Sequence, residues 1–70
     1  MNKTQKYLLK YIIRDTVGFI SSEYNLPFDS AMEAFFHSNV FEKLQDIESG
    51  LYTESASFVY EMYKAEQNTA

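Results

Sequence analysis

Seventy residues with six Tyr, six Phe, no Cys, no Trp and one His allow one domain and offer little catalytic chemistry. No disulfide can form and a lone His suits no ordinary zinc site, so oligomerisation or a larger partner is the staple left to so small a core. The net charge of −4 opposes contact with nucleic acid overall.

Charge is divided unevenly. Residues 1–14 hold Lys3, Lys6, Lys10 and Arg14 and no acid, whereas residues 15–70 hold all ten acids against Lys43 and Lys64. The apolar stretch after Lys6 is interrupted by Lys10, Arg14 and Asp15, and no small-residue cleavage site follows it. Neither an export signal nor a membrane span is therefore expected, and a cytoplasmic location is.

The first helix is expected from about Thr4, as N-cap, to about Tyr24. Leu9, Ile12, Ile13, Thr16, Val17, Ile20 and Tyr24 recur at three- and four-residue spacing, which is one helical face. Leu8, Tyr11 and Phe19 widen that stripe. Lys3, Lys6, Lys10 and Arg14 form a separate basic stripe. Gly18 inside the helix suggests a close approach of another helix. Asn25-Leu26-Pro27 ends the helix, because a residue before proline avoids the helical region.

A second helix is expected to start at Asp29 or Ser30, where Ser30 and Glu33 have capping-box spacing. Ala31, Ala34 and Phe35 would point inward, with Met32 and Phe36 on the flanks. His37-Ser38-Asn39 reads as a break, after which Ser38 caps a short helix from Val40 to Gln45 with Val40, Phe41 and Leu44 inward. Helices two and three could equally be one bent helix. Asp46 to Gly50 is the clearest turn, and Gly50 is expected at positive φ. Thr53 or Ser55 would cap a last helix to about Glu66, with Phe58, Val59 and Met62 inward, Tyr63 at the edge of that face and residues 67–70 as a frayed tail. No strand pattern, repeat or linker interrupts this order. The fold class is all-α, a small bundle of three to four short helices in a single domain, ordered over about 4–66.

Chemistry-bearing groups are sparse. His37 has no Ser, Cys or acid at a triad-like spacing and reads as a helix C-terminal residue that suits the macrodipole. Glu42, Asp46, Glu48 and Glu54 gather near the turn, but a calcium loop begun at Asp46 would need Gly and Glu where Leu51 and Ser57 stand. No catalytic residue, metal or cofactor is expected. Basic residues at a helix N-terminus oppose its dipole, so the stripe calls for compensation from the acidic remainder, within the chain or across a dimer. A protein partner, nucleic acid or an anionic membrane surface is the alternative.

Twelve aromatic rings exceed what a core of this size readily absorbs. Tyr7 and Tyr11 lie one turn apart. Tyr60 cannot share a face with Phe58 and Met62, so one of these must point outward. Tyr52 stands at the mouth of the Gly50 turn.

From Leu44 the chain reads Leu-Gln-Asp-Ile-Glu-Ser-Gly-Leu-Tyr-Thr-Glu-Ser, followed by Phe58-Val59-Tyr60-Glu61. This resembles a segment of small bacterial proteins of unknown function, Leu-x-Asp-x-x-(Ser/Thr)-Gly-Leu-Tyr-x-x-Ser before an aromatic-Val-Tyr-Glu helix. Ala34, Phe35 and Ser38 also fit. The resemblance implies a loose association with toxin or mobile-element genes and no catalytic residue. The resulting expectation is a non-enzymatic protein–protein interaction module, antitoxin-like or a regulatory small subunit. It would bind through exposed Tyr7, Tyr11, Tyr52, Tyr60 and Tyr63, with Glu54 and Glu61 at the rim. Its rivals are a self-associating structural homodimer and a nucleic-acid accessory protein using the basic stripe.

Overall fold

The computed structural model describes residues 2–69. Among these the fold is all-α: helices α1 (Lys3–Glu23), α2 (Phe28–Phe36), α3 (Asn39–Gln45) and α4 (Ala56–Thr69). Two single 3-10 turns, Ile47–Ser49 and Leu51–Thr53, join α3 to α4. No described helix is long and apolar enough to cross a membrane.

Each helix begins where a side chain satisfies its free N–H groups or a proline sets the entry. For α1 that residue is Asn2, not Thr4. The Asn2 side-chain oxygen accepts from the Gln5 N–H at 2.8 Å, and Gln5 Oε1 accepts from the Asn2 N–H at 3.0 Å. This reciprocal capping box draws Thr4 into the first turn. The helix ends in a Schellman-type bond, with Asn25 at φ 55 and the Leu26 N–H donating to the Ser21 carbonyl at 3.0 Å. Asn is one of the few non-glycine residues that tolerates this left-handed geometry.

Helix α2 starts directly after Pro27, whose fixed φ of −56° suits a helix entry. Ser30 therefore lies inside the helix and the expected Ser30–Glu33 box does not form. Helices α2 and α3 are separate. The Ser38 hydroxyl donates to the Phe35 carbonyl at 2.6 Å and accepts from the Phe41 N–H at 3.1 Å, closing one helix and opening the next. Gly50 takes φ 72, as expected, between the two 3-10 turns. Ser55 opens α4, its hydroxyl accepting from the Phe58 N–H at 3.1 Å. Helix α4 continues to Thr69, so residues 67–69 are helical and not a tail; Ala70 lies outside the described residues.

The core is built where α1 packs on α2 and α4. Leu9, Ile12, Val17 and Ile20 of α1 meet Ala31 and Phe35 of α2, Val40 and Leu44 of α3, and Val59, Tyr60 and Tyr63 of α4. Phe35 is completely enclosed and lies against Phe41 and Tyr63, ring centroids 5.5 and 6.1 Å away. Ala34, expected inward, is half-buried. Gly18 admits no close helix, for an added Cβ would meet nothing within 4 Å.

Glu66 of α4 fastens the two short ends of the bundle. Its carboxylate oxygens accept from the Asn39 and Val40 N–H groups, both at 3.0 Å. With Ser38 holding Phe41, the first three donors of α3 are all satisfied. Helix α3 has only seven residues and could not persist alone.

Candidate interaction surface

Helix α1 divides its residues by angle, at 100° per position. Its inner face carries the core residues, and Lys6, Lys10 and Arg14 follow one another up the side that borders α2. There Leu9 and Ile13 of α1, with Phe28 and Met32 of α2, form the floor of an open groove of about 540 Å³. Lys6, Lys10 and Arg14 complete its lining. Phe28 remains 45% exposed although it belongs to this floor. The groove exists because α2 has only nine residues and turns Ala31 and Phe35 to the core. Phe28 and Met32 are left beside α1 without a third helix above them.

The outer crest of α1 carries Tyr7 and Tyr11. Their hydroxyls are 3.0 Å apart and their rings meet edge to face at 4.8 Å. That hydrogen bond is the main cause of a raised Tyr7 pKa, with the charge on Tyr11 second. The Arg14 guanidinium lies 4.9 Å over the Tyr11 ring and 3.8 Å from the Asp15 carboxylate. Lys3, Lys6 and Lys10 make no ion pair among the described residues; the other described pair is Lys64 with Glu61. Among the described residues, the compensation expected for the basic stripe thus takes no form of direct pairing, Arg14 excepted.

The seven residues expected at a partner surface do not form one patch. Tyr7 and Tyr11 are exposed, at 59% and 41%, and touch each other. Tyr52 is half-buried and its hydroxyl accepts from Gln5 Nε2 at 3.2 Å. Gln5 and Tyr7 are two positions apart on α1, hence on opposite faces, so Tyr52 lies across the helix from Tyr7. Glu54 is exposed beyond the second 3-10 turn, and Glu61 is exposed on α4 with Lys64 Nζ at 3.4 Å.

Tyr60 and Tyr63 correct the expectation of exposure. They are 6% and 4% exposed, because α4 turns them toward α1 and α2. Tyr60 stacks at 5.5 Å on Phe19, and Tyr63 meets Tyr24 at 6.0 Å. Phe58, expected inward, is the ring that α4 leaves outside, at 49% exposure. Burial raises the pKa of both buried phenols. For Tyr60, Glu23 and then Tyr24 add to the effect; for Tyr63, Tyr24 and then Glu66 do.

Periodicity puts Leu9 and Ile13 on the inner face of α1 and does not show that they floor a groove with Phe28 and Met32. A weak signal exists, since Leu9 and Ile13 alternate with Lys6, Lys10 and Arg14 at one-turn spacing. Nothing in the sequence places Phe28 beside them. Among the described residues, no three His, Asp or Glu side chains gather closely enough to hold a metal ion, and His37 is an exposed C-cap of α2. Compared with known proteins, the chain matches no protein family, no characterised protein and no solved structure.

Proposed function

We propose that this chain is a non-enzymatic protein–protein interaction module whose docking surface is the α1–α2 side of the bundle. One observation carries the reading: an apolar floor of Leu9, Ile13, Phe28 and Met32 stands open beside a row of cations. Apolar anchors at the centre and polar groups around them are the usual energetic pattern of an interface. Met32 suits such a floor because its unbranched chain adapts to the occupant. Tyr7 and Tyr11 extend the surface along α1, and aromatic rings contribute area at low entropy cost. A regulatory or antitoxin-like small subunit would be one module of this kind.

Cross-linking mass spectrometry from Lys6 and Lys10 in cells tests the reading. Links to a polypeptide are expected, a second isotopically distinct copy included, and Phe28→Asp should remove them. A nucleic-acid accessory role draws on the same cations without the apolar floor. Salt-sensitive DNA binding that survives Phe28→Asp, with no protein cross-link, would replace the proposal by that role.

A further inference from the structure

The two walls of the groove carry opposite charge. On α1 the rim is Lys6, Lys10 and Arg14, each one turn from the next. On α2, Ala31 and Phe35 face the core and Phe28 and Met32 face the groove. The next positions around that helix are Phe36, Asp29 and Glu33, all exposed. Neither Asp29 nor Glu33 forms an ion pair among the described residues. A basic crest, an apolar floor and an acidic crest therefore lie side by side.

We propose that the occupant of this groove is a second copy of the chain, docked face to face about a two-fold axis that runs along the groove. Such an axis exchanges left and right across the face while keeping the direction of the groove. The basic crest of each copy then meets the acidic crest of the other, and the two apolar floors close on one another. One-turn steps of about 6 Å give the cations of one crest the same spacing as Asp29 and Glu33 of the partner subunit, so successive charges of the two crests can pair. Phe28 and Phe36, 45% and 44% exposed, are covered in the same event.

The opposite charge of the two walls selects this occupant over others. A uniformly acidic helix, or an anionic membrane surface, would satisfy the lysines and meet Asp29 and Glu33 as like charges. Only a face with both signs in mirrored order satisfies both walls. With Cα extents of 34 × 23 × 18 Å, a standard interface of about 800 Å² per partner would engage one whole broad face of the molecule.

This inference rests on the docking surface proposed above, and its test separates the two. Sedimentation equilibrium of the wild-type chain should show a reversible dimer. Lys10→Glu and Glu33→Lys should each weaken it about tenfold or more, because each crest contact occurs twice per dimer. Helicity by circular dichroism should stay unchanged, as both side chains are exposed. Mixed one to one, the two variants should recover a heterodimer by native mass spectrometry. In that mixed pair the carboxylate introduced by Lys10→Glu faces the ammonium introduced by Glu33→Lys, and the unaltered Lys10 of one copy faces the unaltered Glu33 of the other. A monomer at all concentrations up to about 1 mM, a dimer indifferent to both variants, or a mixture that fails to pair would overturn the proposal. In any of those cases the ¹⁵N-labelled chain is titrated with amphipathic helical peptides, one acidic and one carrying both acidic and basic residues. Shifts confined to Leu9, Ile13 and Met32 would retain the docking surface with a foreign occupant, and no shifts would remove both.

Discussion

Two pairs of tyrosines, one on each side of the bundle, have opposite fates. Tyr7 and Tyr11 on α1 stand in solvent and hydrogen-bond to each other, whereas Tyr60 and Tyr63 on α4 are enclosed against α1 and α2. Both pairs sit on helices with a mixture of charged and apolar neighbours. What separates them is the presence of a facing helix. Helices α2 and α4 both pack on the core side of α1, whereas Tyr7 and Tyr11 point away from it, where no described helix faces them. The aromatic rings are thus divided between core and surface.

Breaking the packed side should have the largest effect. Tyr60→Ala or Tyr63→Ala removes a buried ring and leaves a cavity, at a cost of roughly 3–5 kcal/mol. A core this small supplies about that much in total, so thermal melts of either variant should show little cooperative folding. Tyr7→Ala or Tyr11→Ala should leave the melt within about 0.5 kcal/mol of wild type. Comparable losses from both pairs would erase the distinction between the two sides.

Glu66→Ala sharpens the same comparison, because it leaves every apolar contact of the packed side in place. The Asn39 and Val40 N–H groups lose a charged acceptor, which should cost about 1–3 kcal/mol in urea denaturation. Amide exchange should accelerate first in α3.

Alkaline pH tests the burial of the packed side. Tyr60 and Tyr63 have folded pKa values above the ordinary value of 10.0, chiefly through burial. The unfolded phenols ionise first, so the stability due to these neutral side chains is complete below the ordinary value and falls as pH rises through the folded pKa values. Denaturation midpoints should drop above about pH 10, and Tyr60→Phe with Tyr63→Phe should flatten that fall.

The smallest expected effect is a gain. Gly18→Ala places a methyl where nothing lies within 4 Å and relieves a helix-interior glycine, which should stabilise the fold by about 0.5–1 kcal/mol in a thermal melt. A loss instead would reveal a close neighbour at Gly18 in solution, such as another copy.

Much of the local structure is legible in the chain alone. The left-handed Gly50 and the inner face of α1 depend on residues within a few positions of one another, as do the Ser38 cap, which leaves one bent helix or two open, and the last helix's cap, open between Thr53 and Ser55. The start of α1 differs by two residues from expectation because Thr4 and Asn2 are both competent caps. Gln5, three positions after Asn2, completes the reciprocal pair that settles the choice. The candidate surface is half legible. Its cations and its Tyr7–Tyr11 pair share one helix, but its floor needs Phe28 and Met32 from another.

The amino-acid sequence specifies an all-α chain of three to four helices, the break after the first, the turn at Gly50 and the concentration of positive charge on the first helix. These follow from capping, backbone preference and periodicity, which act over one or two turns. Only the tertiary structure decided that Tyr60 faces inward and Phe58 outward, that Glu66 caps a helix 26 and 27 residues earlier, and that an apolar floor stays open beside Lys6, Lys10 and Arg14. Helical periodicity marks a wide apolar stripe without its edges. Where the edge falls depends on the angle at which the neighbouring helix crosses, a property of the assembled bundle and of no single segment.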